Sequence, residues 1–418
     1  MNIVKIALFI SIVSILFALS ACKPSLKQMS GVTTPVRLSA AEADSAEPAI
    51  ATAPDGNAYV AWVNHSGKQA DVMVAKLGSN GIMQGSAVRV NPTAGMATAW
   101  RGDAPTIAVA PDQTVFISWT AKVEAGSGHA TDIYVSASRD QGRTFSAPVK
   151  VNDDPKPADH GMHSLAVGKD GRIYVAWLDE RNVAPMPAMD MKMNQGTSGQ
   201  QMESNREVFI SYSSDGGKTF SPNKRVAADV CPCCKTSLAI APDGRVYLSW
   251  RQVLPGEFRH IAVASSTDQG QTFSQPKIVG DDQWMIPGCP VSGSSMTVLA
   301  DGKLRVLWYS AGKNGETGIY SSDSTDGGNT FSSRQLVSKG ETRGTPVLLS
   351  DARSSIAVWE GGDNILTAAV SSTPADSFRI SSGELPAAVE TATNVLAAYV
   401  GKLEQHRAVF VVTVNRSE

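Results

Sequence analysis

The residues of this chain best suited to chemistry are cysteines. Three of the five stand within four positions of the segment VCPCCKTSLAIAPDG, as Cys231, Cys233 and Cys234, and a fourth follows at Cys289. Cysteine thiolates bind soft metals, and cysteine pairs form disulfides in exported proteins. The adjacent residues Cys233 and Cys234 could bridge each other only through a strained ring, so the sequence leaves the connectivity open.

Two interpretations of these cysteines stay open, together with a mixture of the two in which one disulfide fixes the loops while two sulfurs and the methionines bind Cu(I). In the first, Cys289 pairs with one of the other three, and the disulfide staples two neighbouring repeats. In the second, the sulfurs form a soft-metal site, where thioether and imidazole groups would favour copper as Cu(I). The spacing is not that of paired C-x2-C zinc knuckles. The additional candidate ligands are His160, His163, Met186, Met189, Met191 and Met193.

The N-terminus predicts export. It carries one charge, Lys5, then an apolar run over residues 6–19 and the small residues before Cys22. This pattern is typical of a secretory signal, and the run is short for a membrane span. The segment LSAC resembles the lipobox of bacterial lipoproteins, which implies cleavage before Cys22 and lipid on that residue.

We therefore expect a lipoprotein signal peptide over residues 1–21, a lipidated tether over 22–32 and one domain over 33–418. The protein would be anchored to a membrane of the bacterial cell envelope, and Lys23 is compatible with outer-membrane sorting in a Gram-negative cell. The net charge of -2 gives no reason to expect nucleic acid as a partner. An envelope protein or a glycan is the expected partner.

Repeated strand pairs must position the candidate residues. Six segments share an apolar stretch, a tight turn that is usually Asp-Gly, a second apolar stretch and a final tryptophan. They end at Trp62, Trp119, Trp177, Trp250, Trp308 and Trp359. A seventh, PAAVETATNVLAAYV, keeps the spacing and lacks the tryptophan. Each copy predicts two short strands joined by a turn.

A second motif, S-x-D-x-G-x-T-F, occurs at residues 138–145, 213–220, 266–273 and 324–331. Its aspartate can accept backbone hydrogen bonds within a hairpin turn, and its glycine supplies a positive φ. The motif resembles the Asp-box, the bacterial neuraminidase repeat (BNR) of sialidases and other β-propellers. That resemblance implies a structural role for Asp140, Asp215, Asp268 and Asp326.

Two strands plus a hairpin make a four-stranded blade, and repetition at about 50 residues predicts an all-β propeller. We count seven blades, with six as the alternative. The N-terminal segment TTPVRLSA matches the fourth-strand pattern SAPVKVN. We expect it to complete the last blade and to close the ring, because an open blade would expose an unpaired edge.

Long irregular loops gather on one face of such a propeller, where binding usually resides. The expected loop face carries all four cysteines of the domain. Its charged and aromatic candidates for ligand binding are Arg101, Asp103, Asp179, Arg181, Arg251, Arg259, Trp284 and Arg343.

The sequence does not show the motifs of a sialidase active site. Sialidases hold a carboxylate with three arginines, use a tyrosine nucleophile and carry an F/Y-R-I-P motif, whereas the matching region here reads AEPAIATAP. We assign no catalytic residue and favour a ligand-, metal- or protein-binding module. The alternatives are an exo-alpha-sialidase or related glycoside hydrolase, and a scaffold subunit of an envelope complex.

The cysteine motifs carry one further resemblance. The pair CPCC…GCP is similar to that of a group of bacterial sialidase-like propellers. It implies that Cys289 acts together with the segment from Cys231 to Cys234, as a staple or as ligands.

Overall fold

The computed structural model describes residues 27–123, 129–183, 205–286, 290–351 and 354–415. All regular structure in these ranges is β-strand. No helix within them is long and apolar enough to cross a membrane. The chain is an all-β protein of the β-propeller type, as the repeats predicted.

The strands follow the repeats of the sequence. β1 (Val36–Arg37) precedes a first set of β2 (Asp44–Thr52), β3 (Ala58–Ser66), β4 (Gln69–Leu77) and β5 (Val88–Arg89). After β6 (Ala97–Thr98), the second set is β7 (Thr106–Val109), β8 (Val115–Lys122), β9 (Thr131–Ser138) and β10 (Val149–Lys150). The third is β11 (His160–Val167), β12 (Ile173–Asp179), β13 (Arg206–Ser213) and β14 (Lys224–Val230).

The second half of the chain continues in the same way. The fourth set is β15 (Ser237–Ile240), β16 (Val246–Leu254), β17 (Phe258–Ser266) and β18 (Lys277–Ile278). The fifth is β19 (Ser294–Val298), β20 (Leu304–Ser310), β21 (Gly318–Ser324) and β22 (Gln335–Lys339). The sixth is β23 (Arg343–Ser350), β24 (Ser355–Gly361), β25 (Asn364–Ala369) and β26 (Phe378–Ser382). The last is β27 (Glu384–Glu390), β28 (Asn394–Lys402) and β29 (Arg407–Asn415).

Within each set, successive strands pair antiparallel. β1 supplies a fourth strand to the last set, with Val36 opposite Val411 and Arg37 opposite Phe410. Leu38 extends this pairing, because its N–H donates to the carbonyl of Val409 at 2.9 Å and its side chain is buried.

The first strands of the sets contact one another. β2, β7, β11, β15, β19, β23 and β27 touch in that order, and β27 also touches β2. The loops that enter these strands therefore converge on a common region, and that convergence brings distant loop residues together.

Tryptophans on the second strands fill the core. Trp62, Trp119, Trp177, Trp250 and Trp308 are each at most 1% exposed. A residue two positions on accepts the indole N–H in three of them: Asn64, Asp179 and Gln252. A buried indole needs an acceptor, so these three polar residues belong to the packing. Trp119 donates instead to Ser136 Oγ and Trp308 to Asp282 Oδ2.

The Asp-box turns hold neighbouring sets together. In the turn at 213–220, Asp215 accepts from the hydroxyls of Ser213 (2.7 Å) and Thr219 (2.6 Å). Gly217 has φ 80°, and a Cβ there would lie 3.3 Å from the ring of Phe116 in the preceding set. The same contacts recur around Asp140, Asp268 and Asp326, so these aspartates hold turns.

Candidate functional site

Two of the cysteines form a buried dithiol. Cys231 and Cys234 are free, each is 1% exposed, and their Sγ atoms lie 3.4 Å apart. Cys233 is disulfide-bonded, and its Sγ lies 3.9 Å from that of Cys231. The residues Cys22, Cys289, Met186, Met189, Met191 and Met193 lie outside the described part of the chain.

The surroundings of this dithiol shift the pKa values of its two thiols in opposite directions. Nη1 of Arg259 donates to Cys231 Sγ at 3.2 Å, and Arg251 is wholly buried nearby. The hydrogen bond from Cys234 and, against burial, the charges of Arg259 and Arg251 lower the pKa of Cys231 to about 6. Burial and the neighbouring sulfur raise the pKa of Cys234. One thiol is thus set to ionise and the other to stay protonated.

The three sulfurs also form a candidate metal site, since they all lie within 4.8 Å of one another. A disulfide sulfur carries no thiolate charge, so only Cys231 and Cys234 offer thiolate ligands. Two thiolates are fewer than the four ligands of a structural zinc site.

The two candidate histidines are engaged elsewhere. His163 is fully buried, with Nδ1 at 3.1 Å from Asp103 Oδ1 and Nε2 at 3.1 Å from the carbonyl of Ser118. His160 Nε2 lies 3.1 Å from Asp154 Oδ1. Although burial opposes it, the carboxylates of Asp154 and Asp179 raise the pKa of His160. The structure does not place either imidazole in the sulfur cluster.

Most of the predicted ligand-binding residues also have internal partners. Arg251 donates to the carbonyls of Ser292, Arg259 and Tyr309. Trp284 is 9% exposed, with its ring edge-on to Tyr309 at 5.4 Å.

Asp179 and Arg181 bind each other. The Nε of Arg181 donates to Asp179 Oδ1 at 3.0 Å, and its guanidinium also reaches Asp153 at 2.8 Å. These side chains position loops, and their hydrogen-bonding groups are occupied.

Asp103 lines the larger of two cavities in the loop region, and its chain neighbours Gly102 and Ala104 line the smaller. It is buried and accepts from the N–H of Met162 at 2.7 Å and from His163. Although burial opposes it, the hydrogen bond from His163 and the charge of Lys235 lower the pKa of Asp103. Burial lowers the pKa of Lys235 to about 8, and the Asp103 carboxylate opposes that shift.

The larger cavity has a volume of about 630 Å³. Its wall carries Asp103, Asp159, Glu180, Arg206, Trp100 and the disulfide-bonded Cys233. Nη2 of Arg206 binds both Asp159 Oδ2 (2.8 Å) and Glu180 Oε1 (2.7 Å). A guanidinium thus fixes two carboxylates at this wall.

Trp100 gives the larger cavity an apolar surface. It is 48% exposed, although most large apolar side chains of the described chain are buried. Its carbonyl accepts the N–H of Asp103 at 2.8 Å, and its ring lies so close to Gly102 that a Cβ there would be 2.5 Å from it. A side chain at position 102 would therefore displace the indole from its place at the cavity.

The smaller cavity, of about 250 Å³, lies where first strands converge, because Glu47, Ser295, Val347 and Leu385 line it. The cations at its described wall are Arg101, Arg343 and Lys235, and no tyrosine lies there. Arg101 is paired with the buried Glu360 at 2.6 Å. The three convergent arginines and the tyrosine of a sialidase do not come together in the described part of this cavity.

Sequence reasoning missed several residues of the larger cavity. Trp100, Asp159 and Arg206 are not among the candidates that the sequence gives. Arg206 begins β13 and reaches Glu180 at the end of the preceding strand. The sequence signal that could have identified them is their position at the ends of predicted strands, because charged residues at the loop-side ends of strands face the converging loops.

Comparisons with known proteins agree with this fold. A family model described as a BNR repeat-like domain matches residues 99–307. None of the curated proteins matches the chain.

Solved structures of the same shape are distant in sequence. The chain is similar to a protein of unknown function from Dyadobacter fermentans DSM 18053, at 16% identity and a TM-score of 0.50 over 93% of this chain and 100% of that one. It is similar to the Hadza microbial sialidase Hz136, at 16% identity and a TM-score of 0.52 over 76% and 63%. It is also similar to a Penicillium chrysogenum alpha-L-arabinanase complexed with arabinobiose, at 12% identity and a TM-score of 0.50 over 92% and 98%.

Proposed function

Because this chain belongs to the family of BNR repeat-like domains, we propose that it is a glycan-binding protein of the bacterial cell envelope. The observation that carries the proposal is the exposed Trp100 beside a cavity whose wall holds Asp159, Glu180 and Arg206. The apolar face of a sugar ring stacks on an indole, while its hydroxyls bond carboxylates and guanidinium groups. Two proteins of similar structure, a sialidase and an arabinanase complexed with arabinobiose, support a sugar as the ligand class.

The proposed scaffold is a seven-bladed propeller in which each four-stranded set is one blade. Two features support this count. The described strands form five hydrogen-bonded sheets, in which β6 joins the first set to the second and the pairing of β14 with β16 joins the third to the fourth. The first strands of the seven sets contact one another in chain order, and the contact between β27 and β2 joins the last set to the first. β1 would then close the ring by completing the last blade.

The proposed location is the envelope, with a lipid on Cys22 as the anchor and residues 22–32 as the tether. The support is the apolar N-terminal run followed by LSAC. The anchor would hold the loop face within reach of surface or periplasmic glycans.

The proposed partner of Cys233 is Cys289. Cys233 is disulfide-bonded while Cys231 and Cys234 are free, and Cys22 would carry the lipid. Such a bond would staple the loop that enters the fourth set to the loop that enters the fifth.

The test of glycan binding is titration calorimetry with sialylated and neutral oligosaccharides. We expect binding by the wild type and at least about a tenfold loss, or about 1.4 kcal/mol, in Trp100→Ala. The matched control is Ile82→Ala, an exposed apolar residue that lines neither cavity. Equal affinity of Trp100→Ala and wild type would contradict the proposal, as would a co-purifying protein partner with no glycan binding.

A glycoside hydrolase is the second candidate, and the paired carboxylates on Arg206 favour it. Glycosidases use two carboxyl groups that flank the scissile bond, whereas sialidases use a tyrosine. Release of dye from fluorogenic glycosides, lost in Asp159→Asn and Glu180→Gln, would establish this activity. Turnover of a sialoside alone would point instead to the sialidase alternative.

A further inference from the structure

The dithiol of Cys231 and Cys234 has the spacing of redox-active pairs. The two residues form a C-x-x-C segment in the turn after β14, and the Cys231 N–H donates to the carbonyl of Arg251 at 2.9 Å. Their Sγ atoms, 3.4 Å apart, are in contact without a covalent bond. A small movement would therefore bring them to the ~2.05 Å of a disulfide.

Buried positive charge favours a thiolate at Cys231. Arg259 is 4% exposed, and its Nε has no hydrogen-bond partner among the described residues. The carboxylate nearest to its guanidinium, Glu257 at 3.6 Å, is half exposed. The hydrogen bonds of the Arg251 guanidinium within the described residues all go to backbone carbonyls. The Cys231 sulfur is thus the buried group best placed to balance this charge.

An electrophile lies beside that thiolate. The Sγ of Cys233 is part of a disulfide and lies 3.9 Å from the Sγ of Cys231. Cys233 also lines the larger cavity, whereas Cys231 and Cys234 do not. Cys233 is itself 2% exposed, and of the three cysteines it is the one that borders the cavity.

We propose that Cys231 and Cys234 form a redox-active dithiol that exchanges electrons with small disulfides in the cavity through the disulfide of Cys233. The Cys231 thiolate attacks Cys233 Sγ, a bond between these sulfurs forms, and the former partner of Cys233 leaves as a thiolate that takes the proton of Cys234. The Cys234 thiolate then attacks Cys231 Sγ, which forms the Cys231–Cys234 disulfide and releases Cys233 as a thiolate.

A small-molecule disulfide is the oxidant that balances the electrons of this reaction. The two steps move two electrons from the buried dithiol to the Cys233 disulfide. Oxidised glutathione then restores that disulfide and leaves as two molecules of glutathione. The chain ends with one more disulfide than it began with.

The test follows the free thiols of the full-length protein during exposure to oxidised glutathione. Samples are quenched in acid and alkylated in denaturant, so burial does not limit labelling, and mass spectrometry assigns the label to each cysteine. We expect the wild type to lose the free thiols of Cys231 and Cys234 together. Retention of both thiols at full oxidation would overturn the proposal, and so would one Cu(I) per chain that blocks both of them.

Two variants test the route. Cys233→Ala should slow oxidation of the buried pair at least about tenfold, because direct access is then the only path. Arg259→Gln should slow it about tenfold at pH 7, since less Cys231 would be thiolate. The matched control is Arg245→Gln, an arginine that reaches the carbonyl of Gly327 instead. Oxidation as fast in Cys233→Ala as in the wild type would refute the relay without depending on how Arg259→Gln folds.

Discussion

Arg101 illustrates how one loop arginine can serve the fold while a neighbouring arginine does not. Its Nη2 lies 2.6 Å from Oε2 of Glu360, which is 1% exposed and also accepts the N–H of Leu385. Arg343 lines the same cavity and is exposed, and its side chain has no hydrogen bond or ion pair with the described residues. Removal of Arg101 therefore leaves a buried carboxylate without its cation, whereas removal of Arg343 does not.

Arg101→Met should lower the free energy of unfolding by about 2–3 kcal/mol, because it leaves the Glu360 carboxylate buried without its cation. The value is below that of a fully buried pair, since Arg101 is 32% exposed. Arg343→Met should change stability by less than about 0.5 kcal/mol. Urea unfolding of both variants measures the difference, and equal stability in the two would contradict a structural role for Arg101.

The sequence could not separate these roles. Arg101 and Glu360 are 259 positions apart, so no local pattern joins them. The acceptors of Arg251 are backbone carbonyls, which every residue possesses. The Cys231–Cys234 contact could be suspected from spacing, but the guanidinium of Arg259 comes from another strand. Side-chain roles at this site depend on pairings that only the folded chain creates.

At the scale of the elements, the Asp-box depends on one buried hydroxyl. Ser213 is 1% exposed, donates to Asp215 and accepts the buried N–H of Gly217 at 3.0 Å. Ser213→Ala should lower the free energy of unfolding by about 1–2 kcal/mol, because that N–H loses its acceptor. Thermal and urea unfolding measure the loss.

The adjacent serine provides the control for that substitution. Ser214 is exposed, so Ser214→Ala should change stability by less than about 0.5 kcal/mol. A loss of the same size in both variants would mean that the turn responds to any substitution, and the hydroxyl would then have no special role.

This motif was visible in the sequence because its bonds are local: Ser213, Asp215 and Thr219 lie within seven positions. The same holds for Trp62, Trp177 and Trp250, whose acceptors lie two residues on. By contrast, β6 could not be foreseen. Ala97 pairs with Ala70 on one side and Ala121 on the other, and no alternation of apolar residues marks it. It becomes a strand only because two edges meet there.

At the scale of the whole molecule, each strand-pair copy of the sequence corresponds to two paired strands, from β2 and β3 to β27 and β28. That the seven sets form one closed ring stays a prediction. An ion pair crosses from the last set to the first: Arg407 in β29 donates to both carboxylate oxygens of Asp44 in β2, at 2.9 and 2.7 Å. The contribution of this ion pair to the free energy of unfolding can be measured by varying the pH.

The hydrogen bond from Arg407 lowers the pKa of Asp44 from 3.8 to about 2. A carboxyl group whose pKa is lower in the folded state stabilises that state fully above its unfolded pKa, and the stabilisation disappears as the pH falls through the folded pKa. The wild type should therefore exceed Asp44→Asn in free energy of unfolding at pH 6, and the gap should shrink between pH 4 and pH 2. We expect a gap of about 1 kcal/mol, reduced by solvent screening because the side chain is 37% exposed.

The difference between the two proteins, measured by urea unfolding at each pH, cancels the titration of the other carboxylates. Asp376→Asn is the matched control, because its pair with Lys27 also joins distant parts of the chain but is largely exposed at 3.4 Å. The free energy of unfolding of Asp376→Asn should follow that of the wild type at every pH. If the free energy of unfolding of Asp44→Asn does so as well, the contact between the last and first sets rests on β-strand packing alone, and the ion pair adds nothing to that contact.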